Sequence, residues 1–261
     1  MFEYIKFEVE NRVAVITLNN PAKLNAISFT MMEEMHTALD RLEADGNIRV
    51  LMIWGGEKVF GAGMDITRDK SGEKESPPTD NPVARRLHTL YDRISRLPMA
   101  VVAAVAGYAL GGGFELALAC DIRIFSENAK VGLPELNLGT IPCGGGTQRL
   151  PRIIGAGRAK ELIFTCDRIG AEEAYRLGIA NRIVKEGALY GEAMALAKRL
   201  AEKAPLAVEM AKHAVDTGLE ADLDTGLLIE MRNSAPLKYT QDYTEGVTAF
   251  KEKREPQFQG R

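Results

Sequence analysis

Two short β-prone runs open the chain: Tyr4 to Val9 and Val13 to Leu18 are separated by Glu10, Asn11 and Arg12, a spacing that predicts a hairpin. The apolar period then changes. From about Thr30, the residues Met31, Met35, Ala38, Leu39 and Leu42 recur on one helical face, and Thr30 with Glu33 has the spacing of a capping box. Val50 to Trp54 reads as a buried strand, and residues 71–82 (SGEKESPPTDNP), polar and proline-bearing, as a surface loop. Helix is predicted again from near Val83 to Pro98, with Leu87, Leu90, Tyr91 and Ile94 as its stripe. A strand over Ala100 to Val105, a helix over Phe114 to Ala119 and a strand over Ile122 to Phe125 follow. This recurrence of β, β and α with short connections argues for an α/β layered core. From Ala156 onward helical signals dominate, through Ala171 to Leu177, Leu189 to Ala204, Leu206 to Thr217 and Leu223 to Asn233, so the last third reads as a helical layer.

One stretch, Leu97 to Cys120, has Glu115 as its only charge and approaches the length of a membrane span. The glycines at 111–113 and the carboxylate inside it favour a buried strand, a turn and a buried helix, with no membrane contact expected. Composition agrees with a globular protein, since 46% of the 261 residues are hydrophobic and 26% charged, which excludes disorder, collagen and a disulfide-stapled mini-protein. A formal charge of -3 supplies no global attraction to nucleic acid. Cys120, Cys143 and Cys166 lack paired spacing and the first residues lack a leader pattern, so a cytoplasmic location is expected.

The common cofactor and nucleophile motifs are missing from the sequence. None of the glycine clusters reads Gly-x-Gly-x-x-Gly, and there is no phosphate-binding Gly-x4-Gly-Lys-Ser/Thr. His36, His88 and His213 stand apart without metal-ligand spacing, and no serine sits in a Gly-x-Ser-x-Gly elbow. What remains is two glutamates in unusual company. Glu115 lies in an apolar segment (GGGFELALAC), where desolvation costs several kcal/mol unless the carboxylate is paired or used. Glu135 stands in Leu133-Pro134-Glu135-Leu136, before a further glycine cluster. A purely structural alternative has Glu115 paired with a buried arginine such as Arg149 and Glu135 as a loop charge. Against it stand the glycines: many of the 25 fall at Gly61 and Gly63, at 111–113, at 144–146, and at Gly155 and Gly157. Glycines before a helix let backbone N–H groups approach a ligand unobstructed. The 60–65 turn offers a second exposed backbone, and two N–H donors from separate loops suit an oxyanion hole. The 144–146 cluster is expected to shape a wall near Glu135, and Gly155 and Gly157 to serve helix-start packing.

Taken in order, the motifs NPAKLNA (20–26), FGAGMDI (60–66), GYALGGGFE (107–115), DIR (121–123), LPE (133–135), GTIP (139–142), GGGTQRL (144–150) and FKEKR (250–254) resemble the crotonase, or enoyl-CoA hydratase/isomerase, superfamily. The match runs over essentially the whole chain. The resemblance implies a ClpP-like α/β spiral of repeated ββα units over 1–195 and a C-terminal helical trimerisation region over 196–261. It also implies an acyl-CoA thioester substrate whose carbonyl oxygen is held by the N–H groups of Met64 and Gly112. Ala62, Gly63, Met64, Asp65 and Ile66 would border the adenine and pantetheine, with Lys23 and Leu24 nearby. Phe250 and Lys253 match positions that contact coenzyme A, in some members from a neighbouring subunit.

Within that family a glutamate pair at the positions of Glu115 and Glu135 marks hydratases. Adding water across a 2,3-double bond needs a base for the water at C3 and an acid for the proton at C2. The resemblance gives Glu115 chiefly the water and Glu135 chiefly the C2 proton, with no cofactor beyond the coenzyme A of the substrate and a homotrimer or dimer of trimers as the assembly. Met64 departs from the Ala, Gly or Leu common there, which leaves the acyl pocket open. Another crotonase reaction, such as double-bond isomerisation or hydration of a dienoyl or cyclic thioester, is the nearest alternative. An RNA-binding member of the fold is disfavoured by the acidic balance.

Overall fold

The computed structural model describes residues 2–67 and 79–261. The expected hairpin is present as β1 (Ile5–Glu10) and β2 (Val13–Leu18), joined through Asn11 and Arg12, both in the left-handed region at φ 49° and 68°. Two positive φ values in a two-residue loop match the twist of the flanking strands. Helix α1 (Phe29–Ala44) starts earlier than its periodicity suggested. Its cap is Ser28, in extended conformation, whose Oγ accepts from the Met31 N–H at 3.1 Å. Thr30 therefore sits inside the first turn, and the Glu33 carboxylate turns to Arg86 instead of closing a capping box.

The chain continues through β3 (Val50–Trp54), β4 (Val59–Gly61), α2 (Pro82–Ser95), β5 (Ala100–Val105), β6 (Tyr108–Leu110), α3 (Gly112–Leu118), β7 (Ile122–Ser126) and β8 (Lys130–Gly132). Most of the predicted 71–82 loop lies outside the described residues; Asn81 caps α2, with Pro82 at its first position. A 3-10 turn at Pro134–Leu138 follows, then α4 (Gly146–Ile154), α5 (Ala156–Thr165), β9 (Ile169–Gly170), α6 (Ala171–Arg176) and β10 (Arg182–Val184). Four helices complete the chain: α7 (Leu189–Ala201), α8 (Pro205–Gly218), α9 (Leu223–Leu237) and α10 (Gln241–Glu252).

Two sheets explain the repeated ββα reading. One runs β1-β2-β3-β5-β7-β10 and the other β4-β6-β8-β9, so successive strand pairs β3/β4, β5/β6 and β7/β8 each place one strand in each sheet. Those pairings are parallel within each sheet, while β1 and β9 join antiparallel at an edge. The chain thus advances as a spiral. Both faces of the larger sheet are covered, which is why its strands read as nearly continuous apolar runs. Val13, Val15, Val50, Met52, Val102 and Ala104 pack against α7, and the alternate residues Ala14, Ile16, Leu51, Ile53, Val101 and Ala103 face the main core with α1 and α2.

Helix α7 runs unbroken across positions 195 and 196 and is buried against the sheet through Leu189, Ala193 and Ala197. The next two helices differ, because α8 and α9 pack on each other and neither contributes a buried residue. Among the described residues, no helix is long and apolar enough to cross a membrane. The weakly charged stretch from Leu97 to Cys120 is β5, β6 and α3, as its glycines suggested.

Candidate active site

Backbone-to-backbone packing builds the floor of the site. The 61–64 segment lies on the 110–113 turn so closely that a Cβ on Gly113 would stand 2.3 Å from the Gly61 carbonyl oxygen, and one on Gly61 would stand 3.3 Å from the Gly113 Cα. Side chains cannot fit there. Met64 bridges to Ile27, but the ladder bonds are made by Ile27 N–H to the Gly63 carbonyl (2.7 Å) and Asp65 N–H to the Ile27 carbonyl (2.9 Å). The Met64 nitrogen takes no part in that ladder and lies 3.6 Å from the Cβ position of Gly112. Gly112 is the first residue of α3, where an N–H has no intrahelical partner. The backbones of Met64 and Gly112, on separate loops, therefore lie against each other.

Glu115 follows one turn later and is 1% exposed. Its Oε1 accepts from the N–H groups of Gly144 (2.7 Å) and Gly146 (2.8 Å). Burial raises its pKa, opposed by those two bonds and by Arg149. Arg149 does not neutralise it by contact, since its guanidinium donates to Asp92 (2.6 Å) and to the Gly144 carbonyl (3.1 Å). The 144–146 glycines thus have a role the sequence assigned elsewhere: they hold Glu115, and added Cβ atoms at 144 and 146 would sit 2.6 and 2.9 Å from its oxygens. Gly155 and Gly157 have nothing within 4 Å of their Cβ positions, so they mark the junction between α4 and α5 without close packing.

Glu135 sits on the 3-10 turn under different conditions. Its pKa is pushed up to about 7, by burial first and then by the charge of Glu115. Its Oε2 is buried with no protein hydrogen-bond partner among the described residues, and its Oε1 is 2.8 Å from the Cβ position of Gly111. Cys143 senses both carboxylates, and its thiol is pushed up to about 11 by burial, then by Glu115 and Glu135. One carboxylate is fixed by two N–H groups, and the other, against the Gly111 turn, keeps a buried oxygen without a protein partner among the described residues.

The residues expected near the coenzyme divide in two. Lys23 Nζ donates to Asp65 Oδ2 (2.7 Å) and to Thr67 Oγ1 (3.1 Å), and Thr67 Oγ1 donates to Asp65 Oδ1 (2.7 Å); the bond from Lys23 first, and then that from Thr67, holds the Asp65 carboxyl below its usual range. Ala62 N–H donates to the Leu24 carbonyl at 3.0 Å, so Lys23, Leu24 and residues 62–66 form one ledge with Leu24 and Ile66 exposed on it. Phe250, 85% exposed, and Lys253, which ends α10 at φ 56°, are not brought to that ledge by any contact among the described residues. Instead α10 is tied to the C-terminal tail: Asp242 accepts from Gln259 and Gly260 N–H, and Arg49 donates to the Phe258 carbonyl.

Three contributors escaped the sequence reading. Asn25 donates to the carbonyls of Gly55 and Val59 and accepts from Asn20 N–H, fixing the β3 to β4 connection. Thr67 closes the Lys23 and Asp65 cluster. Tyr91, a member of the α2 apolar stripe, donates its hydroxyl to the Gly112 carbonyl at 2.8 Å. A fully buried tyrosine needs a partner for its hydroxyl, and that is the signal that points to it.

Comparison with known proteins agrees with this geometry. The family model described as enoyl-CoA hydratase/isomerase matches residues 8–261. The chain is 42% identical to the short-chain-enoyl-CoA hydratase of Clostridium acetobutylicum, covering 95% of this chain and 94% of that one. It is 40% identical to the crotonyl-CoA hydratase of Syntrophomonas wolfei over 98% of both. The crystal structure of an enoyl-CoA hydratase from Bacillus anthracis superposes with a TM-score of 0.92 at 39% identity, covering 99% of this chain and 100% of that one. With the spiral, the facing glycine backbones and the two carboxylates in place over the full length, the chain belongs to the enoyl-CoA hydratase/isomerase family.

Proposed function

We propose that this protein adds water across the 2,3-double bond of an acyl-CoA thioester, with Glu115 and Glu135 as its acid and base pair. The observation that carries the reading is the unequal pair itself: one carboxylate clamped by two N–H groups, the other raised to about 7 with a buried oxygen unpartnered, both beside the N–H groups of Met64 and Gly112. The thioester carbonyl oxygen accepts from Met64 and Gly112, which stabilises the enolate that forms as the β-carbon is attacked; each such donor contributes roughly 3 to 4 kcal/mol. Glu115 orients and deprotonates the water that adds at C3. Glu135, protonated near neutrality, delivers a proton to C2. Isomerisation needs one base to move a proton between two carbons, and the second carboxylate favours hydration. Because the thioester lets its own α-carbon carry enolate charge, the coenzyme A moiety is the only cofactor this chemistry requires.

The Lys23 ledge receives the adenine and pantetheine. Its ammonium is already shared with Asp65, so Lys23 offers a coenzyme phosphate only a partial charge. Leu219, Leu223, Leu227 and Met231 are exposed apolar residues on and between α8 and α9, which supports assembly as a homotrimer or dimer of trimers, with Phe250 and Lys253 supplied to a neighbouring subunit's coenzyme. The cytoplasm is the proposed compartment.

The test is incubation of the purified protein with a panel of 2-enoyl-CoA thioesters of differing chain length and branching. Absorbance of the conjugated thioester should fall as product mass rises by one water. No gain of water on any member would overturn the reading.

A further inference from the structure

Helix α2 touches both halves of the site at consecutive positions. Tyr91, fully buried, donates to the carbonyl of Gly112, the residue whose N–H faces the thioester in the reading above. The edge of its ring, Cε2, lies 2.9 Å from the Cβ position of Gly144, so the ring packs directly on the loop whose N–H groups hold Glu115. Asp92, the next residue, grips Arg149, which donates to the Gly144 carbonyl.

These contacts matter because the groups they meet are glycines. A glycine has broad φ and ψ wells, and residues 111–113 are three in succession, so the direction of the Gly112 N–H is weakly set by local preference. Catalytic geometry tolerates little drift, with about 1 Å of misplacement costing about a hundredfold. We propose that Tyr91 is a positioning residue for this reaction: its hydroxyl fixes Gly112 and its ring backs Gly144, so that the oxyanion donor and the support of Glu115 are held in one frame. The proposal rests on the hydratase reading for its reaction, though not for its geometry. The phenol stays neutral and donating, since burial and the nearby Glu115 charge hold its pKa well above the ordinary value. Fully buried behind Gly112 and Gly144, it acts through them and is given no proton-transfer role.

Tyr91→Phe keeps the ring and removes only the hydroxyl. Two readouts are needed: steady-state kinetics with a 2-enoyl-CoA, and the infrared carbonyl stretch of bound butyryl-CoA isotopically labelled at the thioester carbon. Butyryl-CoA has no double bond to hydrate and reports the oxyanion site alone. The expected result is a kcat about tenfold lower, matching the loss of one hydrogen bond, with KM changed less than about twofold. The bound carbonyl stretch should move back toward that of free thioester. A residue that merely fills the core would lower the melting temperature and move neither readout. Unchanged kcat and unchanged stretch would overturn the proposal, as would a rise in KM with kcat intact. A wild-type protein that hydrated nothing yet polarised the butyryl carbonyl would defeat the hydratase reading alone, and Tyr91 would then stand or fall on the stretch. Absence of any wild-type shift would defeat the Tyr91 proposal, and absence of turnover besides would defeat both.

Discussion

The helix that carries Glu115 and the turn that carries Glu135 solve opposite problems. Glu115 is sealed among apolar residues, and its burial is offset by two backbone N–H groups from a glycine loop some thirty positions away. Glu135 is given no such support and keeps an unpartnered oxygen. Both carboxyls are raised, yet the second has only a backbone hydrogen bond within its own residue set against burial and the Glu115 charge. In the proposed reaction the difference suits the first to act as an oriented base and the second as a proton donor.

The sharpest way to break this comparison is to remove each carboxylate. Glu115→Gln and Glu135→Gln should each lower kcat by roughly 10² to 10⁴ with little change in thioester affinity, measured by turnover and by calorimetric binding. If either kept near wild-type turnover, that residue's role would be wrong. Next in size is Gly146→Ala, whose Cβ would stand 2.9 Å from Glu115 Oε1 and from Leu133. It should cost roughly a hundredfold in kcat by displacing Glu115, and full activity would show that the clamp is dispensable.

Protonation gives a smaller and more diagnostic effect. With Glu135 as the acid, kcat should fall as pH rises through about 7, and a profile flat to pH 9 would contradict that role. Stability follows the same group. The folded pKa of about 7 exceeds the roughly 4.3 of a free glutamate, so the folded state binds more protons between those values and loses stability as pH rises through that window. Glu135→Gln should therefore melt higher than wild type at pH 8 by more than it does at pH 4. The smallest effect belongs to the ledge: Lys23→Ala removes a half-exposed ion pair worth under about 1 kcal/mol, and should raise KM a few fold while sparing kcat.

Much of this was legible in the amino-acid pattern. The strands β2, β3 and β5 announce themselves because both their faces are buried, and α1, α2 and α7 because one face is. The second sheet does not, since β4, β6, β8 and β9 are two or three residues each, too short for an alternation to register. The cap of α1 was misplaced because Ser28 and Thr30 are both able caps and only backbone conformation decides. Glu115 and Glu135 stood out by contrast with their neighbours, whereas the loop that supports Glu115 depends on which glycines fold against it. Tyr91 hid among apolar residues, since a stripe records burial and is silent about what a hydroxyl meets. Phe250 and Lys253 rest on family likeness alone, and among the described residues no contact brings them to the site.

The most direct test of the central claim is a single-turnover hydration in doubly labelled water, heavy in both hydrogen and oxygen, followed by mass spectrometry and NMR of the product. The wild-type protein should place the heavy oxygen at C3 and one deuteron at C2, and Glu115→Gln/Glu135→Gln should place neither. Label at C2 without oxygen at C3, or undiminished hydration by the double variant, would contradict the account.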